Sequence, residues 1–189
     1  MEIRDIISLI GLFVNILLPV VLVFMGLRIN KSIKQIEHSH WANQKVIEKK
    51  LQLYDNIAPK LNDLYCFYLF VGHWKDVSPE DVIRIKRELD RLVYTYRTIL
   101  GEEFVAQYRR FMDEIAFHVF NRAGDNARII AEICNELGDR RIHAQYEWQD
   151  KWNEAFYEDK NFNRNAFINE FFAVMEQFQE SIGLAIRKS

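Results

Sequence analysis

The hydrophobic pattern begins with an uninterrupted stretch. From Ile6 to Leu27 no residue is charged, and about 22 residues at about 1.5 Å each cover roughly 33 Å, enough for the hydrocarbon core of a bilayer. The run is read as a transmembrane helix. A cleaved signal peptide would show a basic start, a shorter apolar run and a small-x-small cleavage site. Here the preceding residues are Met1-Glu2-Ile3-Arg4-Asp5, of mixed charge, and no such site follows.

Past the run the pattern becomes periodic. Ile29, Ile33, Ile36, Ile47, Leu51, Tyr54, Leu61, Tyr65 and Tyr68 keep steps of three, four or seven with a gap near His40, which predicts either a continuous helical stalk able to pair with the stalks of neighbouring chains or a helix broken at the polar stretch His38-Ser39-His40. Pro59 is expected to kink whichever helix contains it. Gly72 to Pro79 reads as a loop. Ser78-Pro79-Glu80-Asp81 is a helix start, with a capping serine, proline at the first helical position and acids near the positive helix end. A helix to about Leu100 follows, with Val82, Ile85, Leu89, Leu92, Val93, Tyr96 and Ile99 inward. Gly101 breaks it. Phe104, Tyr108, Phe111, Ile115, His118 and Val119 predict another helix, and Asp125 is expected to cap one more that carries Ala127, Ile130, Ile133 or Cys134, and Leu137. Arg140 to Asn161 is read as helical. Asn163 or Asn165 caps a last helix whose buried side holds Phe167, Phe171, Val174, Met175, Phe178, Ile182 and Ile186.

The fold class expected is all-α, one N-terminal transmembrane helix followed by a cytoplasmic bundle of roughly four to six helices. Residues 1–28 form the anchor with a short outside N-terminus, 29–40 a juxtamembrane stalk and 41–189 the helical domain. Orientation comes from the flanks, because Lys and Arg near a span stay in the cytoplasm. Only Arg4 precedes the run, beside Glu2 and Asp5, whereas Arg28, Lys31 and Lys34 follow it before the first acid, Glu37. These three cations are the candidate contacts for lipid head groups, each contributing about 1 kcal/mol. The expected place is the plasma (inner) membrane, N-terminus out and domain in.

Within the run, Ser8, Gly11, Asn15, Pro19 and Gly26 are the residues that are not large and apolar. At about 100° per residue they fall within about 80° of one another on a helical wheel. Small residues let helices approach closely, and an Asn amide in hydrocarbon seeks a partner at about 0.6–2 kcal/mol per contact, so this face is the candidate for self-association. Two other readings compete. Pro19 could free a carbonyl that Asn15 of the same chain satisfies, or several copies could line a pore with this face.

Composition narrows the chemistry. A formal net charge of −2 gives no bulk attraction to nucleic acid, which is not an expected partner. Cys66 and Cys134, the two cysteines, both sit in apolar stretches and are expected to be free core residues rather than a disulfide framework. The five histidines stand at no ligand spacing, so no metal or other cofactor is expected. No G-x-S-x-G, G-x-x-x-x-G-K-[ST], G-x-G-x-x-G or H-E-x-x-H occurs. Helical ribonuclease toxins carry an Arg followed four to six residues later by His, and neither Arg109-Arg110 before His118 nor Arg140-Arg141 before His143 keeps that spacing. The acid pairs Glu102-Glu103 and Asp113-Glu114 diverge on a helix. Arg84, Lys86, Arg87 and Arg91 form the densest basic patch, but interleaved acids make it a salt-bridged solvent face. Trp148, Trp152, Phe156, Tyr157 and Phe162 could line a pocket or pack a core.

The expectation is a non-enzymatic, membrane-anchored protein that contacts lipid, self-associates through its membrane helix and binds a cytoplasmic protein or small-molecule trigger. The plan of one span and one helical domain resembles small membrane effectors of bacterial anti-phage defence, and that likeness of architecture implies a membrane-disrupting alternative. A membrane-tethered enzyme with a helical site is the third class.

Overall fold

The computed structural model describes residues 3–120, 127–157 and 161–184; within its long first helix, side chains are described at 17–19, 21–37, 40–41 and 43–69. The chain divides into two units, Met1–Lys49 and Lys50–Ser189. The fold is mostly helical with a few short strands. Helix α1 (Ile3–Leu69) passes Pro19, His40 and Pro59 as one element.

In the first unit, every described side chain is exposed. Among the described residues no helix is long and apolar enough to cross a membrane. Most of the run read as a span lies elsewhere: side chains 6–16 and 20, with Ser8, Gly11 and Asn15 among them, are outside the described residues.

The second unit is built on the end of α1, where Leu53, Ile57, Leu61, Leu64 and Tyr68 keep helical spacing and are buried. The start of α2 (Pro79–Thr95) forms as the local sequence dictates. Ser78 Oγ accepts from the Asp81 backbone N–H at 3.2 Å while the Asp81 carboxylate accepts from the Ser78 N–H at 3.0 Å, a reciprocal capping box. Val82, Ile85, Leu89 and Val93 face the core. After α3 (Arg97–Leu100), Gly101 turns the chain at φ 82°, and α4 (Glu102–Arg110) follows. The closing helix, α6 (Arg164–Ile182), starts where Asn163 Oδ1 accepts from the Ala166 N–H at 2.9 Å and stops at left-handed Gly183. Its Phe167, Phe171, Val174, Phe178 and Ile182 are all buried.

The mostly helical fold agrees with the all-α expectation, and residues 111–156 are where individual helices expected from the sequence give way to short strands and turns. The helix expected to run to Val119 ends at Arg110, passes through a π-helical turn at Phe111–Ala116, and becomes strand β1 (Phe117–Val119). Strand β2 (Ala127–Ile129) replaces the helix expected there and pairs antiparallel with β1, Phe117 opposite Ile129. The cap expected at Asp125 lies outside the described residues. Strands β3 (Cys134–Asn135) and β4 (Gly138–Asp139) make a second small hairpin, whose turn is held by the Asn135 carboxamide accepting from the Leu137 N–H at 2.8 Å. Among the described residues of the segment read as a helix to Asn161, α5 (Arg140–His143) and a 3-10 turn at Asp150–Ala155 are the helical elements. Long-range pairing decides the outcome: Ile130 N–H donates to Ala116 O and Tyr157 N–H to Ile129 O, each at 2.9 Å, partners that no local periodicity reveals. Cys66 is buried as expected; Cys134 is exposed, because it lies on β3 instead of a core helix face.

Candidate functional site

The predicted functional residues all lie in the first unit, whose described side chains are exposed. Pro19 and Gly26 are exposed on α1, and nothing lies within 4 Å of where a Gly26 Cβ would stand. Between them Val21, Leu22, Val23, Phe24 and Met25 are exposed, from 46 % at Val21 to 68 % at Phe24. Arg28, Lys31 and Lys34 are exposed one turn apart on the helix that carries this stretch, spread over about 9 Å along its axis. Farther on, Lys45 pairs with Glu48 at 2.7 Å.

Among its described residues the second unit holds two buried polar clusters, neither of them among the predicted sites. Lys86, read as part of a solvent-facing basic patch, is buried at 3 % exposure. Its ammonium contacts Asp90 Oδ2 at 2.7 Å and Asp113 Oδ1 at 3.8 Å, and stands 5.6 Å from the centre of the Phe117 ring. Tyr108 donates its hydroxyl proton to Asp90 Oδ1 at 2.7 Å. Burial pushes the Tyr108 hydroxyl well above its ordinary pKa and raises the Asp113 carboxyl, against the lowering effect of Lys86. A signal existed in the sequence: position 86 falls between Val82 and Leu89 on the apolar stripe of α2. The rest of the patch behaves as expected, Arg84 bridging Asp81 at 2.7 Å and Glu88 at 3.3 Å.

Arg140 is the second cluster. Its side chain is fully buried, with Nε donating to Glu132 O at 2.9 Å and Nη2 to Phe67 O at 2.5 Å. The guanidinium carbon lies 3.8 Å from the centres of both the Phe67 and Phe70 rings, a cation held between π faces. Burial pulls its pKa down to about 9, which still leaves it charged at neutral pH. Both clusters tie elements together: Arg140 joins the end of α1 to the second hairpin, and Lys86 joins α2 to α4 and the π turn.

The aromatic cluster assembles in part. Trp148 meets Trp152 edge-on at 5.7 Å and stacks on Phe156 at 6.3 Å, but Tyr157 stacks on His118 at 3.9 Å and Phe162 packs on Tyr68 and Phe167. Trp152 also lines a cleft of about 530 Å³ at the start of α2. Its charges are already matched, Arg84 to Asp81 and Lys151 to Glu80 at 3.8 Å, and Ser78 with Asp81 occupies the helix N-terminus. Among the described residues no three His, Cys, Asp or Glu side chains converge as metal ligands would.

No protein-family model, curated protein or solved structure matches this chain.

Proposed function

We propose that this is a single-pass, membrane-anchored, non-enzymatic helical protein that self-associates through its membrane helix and offers its folded domain to a cytoplasmic partner or small-molecule trigger. The observation that carries this reading is the conjunction of an uncharged run from Ile6 to Leu27 with the exposure of its described part. Leu17, Leu18, Val21, Leu22, Val23, Phe24, Met25 and Leu27 all stand open on α1. Consecutive large apolar side chains on every side of a helix need an apolar surrounding, which lipid supplies. Arg28, Lys31 and Lys34, exposed just beyond, suit the anionic cytoplasmic leaflet, which supports an orientation with the N-terminus outside.

Alkaline carbonate washing tests the anchor. The full chain is expected to stay in the membrane pellet, and Leu17→Arg, near the middle of the run, to release a large share of it, since arginine at a span's centre costs about 2.5–3.5 kcal/mol. Release of the unaltered protein by the wash overturns the reading. Self-association is read from the mass of the protein in lipid nanodiscs: an oligomer is expected, weakened by Asn15→Leu through the loss of an amide contact of about 0.6–2 kcal/mol. A monomer whether or not Asn15 is changed removes self-association from the function.

A further inference from the structure

The part of α1 from Ile29 onward carries a second apolar feature. Ile29, Ile33, Ile36, His40, Asn43 and Ile47 follow steps of four, three, four, three and four, the a/d alternation of a coiled coil. The isoleucines are exposed, 55 % at Ile29, 47 % at Ile33 and 57 % at Ile47. The same steps continued backwards from Ile29 land on Gly26, Leu22, Pro19, Asn15, Leu12 and Ser8. Four of the five residues of the small, polar face thus share one register with the isoleucine seam.

We infer that this seam packs against the same seam of further copies of the chain, parallel and in register, so that the assembly face of the membrane helix extends past the membrane surface to Ile47. The inference rests on the self-association proposed above. Charge placement selects the occupant. With Ile33 as an a position, Arg28, Lys31, Lys34, Lys45, Glu48 and Lys49 all fall at b, c or f, turned away from a seam partner. Of the positions flanking the seam, Glu37 is charged, and in a parallel in-register pair it faces Ser32 of the other copy, so no like charges meet. The polar seam positions select a copy of this chain over an unrelated helix. Asn43 meets Asn43 and His40 meets His40 only when identical chains align in register, and a polar residue at such a position sets register at a cost in stability. Isoleucine at both a and d favours more than two strands. Common anchoring in one bilayer also makes the helices parallel.

Cysteine scanning of the full chain in lipid nanodiscs tests the seam, with Cys134→Ser removing the exposed native thiol. Under mild oxidation Ile33→Cys and Ile47→Cys are expected to cross-link at least roughly tenfold more than Lys34→Cys and Lys45→Cys, because a disulfide needs Cα atoms within about 7 Å. The mass of each preparation is measured alongside. An oligomer with equal or no cross-linking at the four positions overturns the seam and leaves association through the membrane helix standing. A monomer overturns both.

Discussion

Replacing Phe167 with alanine should lower the stability of the folded domain by about 3–5 kcal/mol, among the largest losses available to one substitution. The ring is fully buried near the start of α6. It stacks on Tyr68 of α1 at 4.5 Å, meets Phe111 of the π turn at 5.3 Å and Phe162 at 5.5 Å, and reaches Tyr65 and Phe171 at 6.5 and 6.4 Å. Removing it leaves a cavity among rigid aromatic rings, which cannot collapse inward as flexible side chains do. Urea titration of the detergent-solubilised protein, followed by tryptophan fluorescence, reads the change as a lower midpoint. Phe167→Leu, retaining most of the volume, should fall between the two, and it keeps the test open if the alanine variant does not fold. An alanine variant within about 1 kcal/mol of the unaltered protein would show that this ring is not at the centre of the core.

Asp90→Ala should cost about 3–5 kcal/mol for a different reason, because it strands a buried ammonium. Lys86 has a side chain 4 % exposed, and Asp90 is its close partner at 2.7 Å, with Asp113 farther off at 3.8 Å. The same change removes the acceptor of the Tyr108 hydroxyl. The penalty belongs to the uncompensated charge, so removing the charge as well should restore most of the loss. Lys86→Met combined with Asp90→Asn keeps an acceptor for Tyr108 while deleting the ion pair, and a buried pair replaced by apolar volume is often neutral. The urea midpoint of the double variant is expected near that of the original protein. Equal damage from the single and double changes would mean that packing, and not the stranded charge, sets the cost.

The elements legible in the sequence are those whose determinants are local. Ser78-Pro79-Glu80-Asp81 specifies the start of α2 through hydrogen bonds spanning three residues, and Asn163 does the same for α6. Their buried faces follow from helical spacing alone. Residues 111–137 were illegible by the same logic. Phe117, Val119, Ile129 and Ile130 suit a strand as well as a helix, and the choice is made by partners across the hairpin and by Tyr157. Lys86 could have been seen, since it interrupts an apolar stripe with no polar face of its own. Arg140 could not: its aromatic partners lie some seventy residues earlier in the chain. Of the candidate functional residues, Pro19, Gly26, Arg28, Lys31 and Lys34 are exposed, while the side chains of Ser8, Gly11 and Asn15 lie outside the described residues.

The end of α1 is held by contacts both near and far along the chain. The helix closes with Val71 N–H donating to Cys66 O and Phe70 N–H to Phe67 O, the double bond of a Schellman turn. The left-handed position of that turn, usually glycine, is Phe70 at φ 58°, a conformation that costs a non-glycine residue about 1–2 kcal/mol. Its ring lies against Trp74 at 4.9 Å and under the Arg140 guanidinium at 3.8 Å. Trp74, four residues on, supplies one of those contacts from the adjoining loop, and Arg140, seventy residues on, supplies the other. The place where α1 stops is therefore fastened both by its own neighbours in sequence and by the far half of the domain.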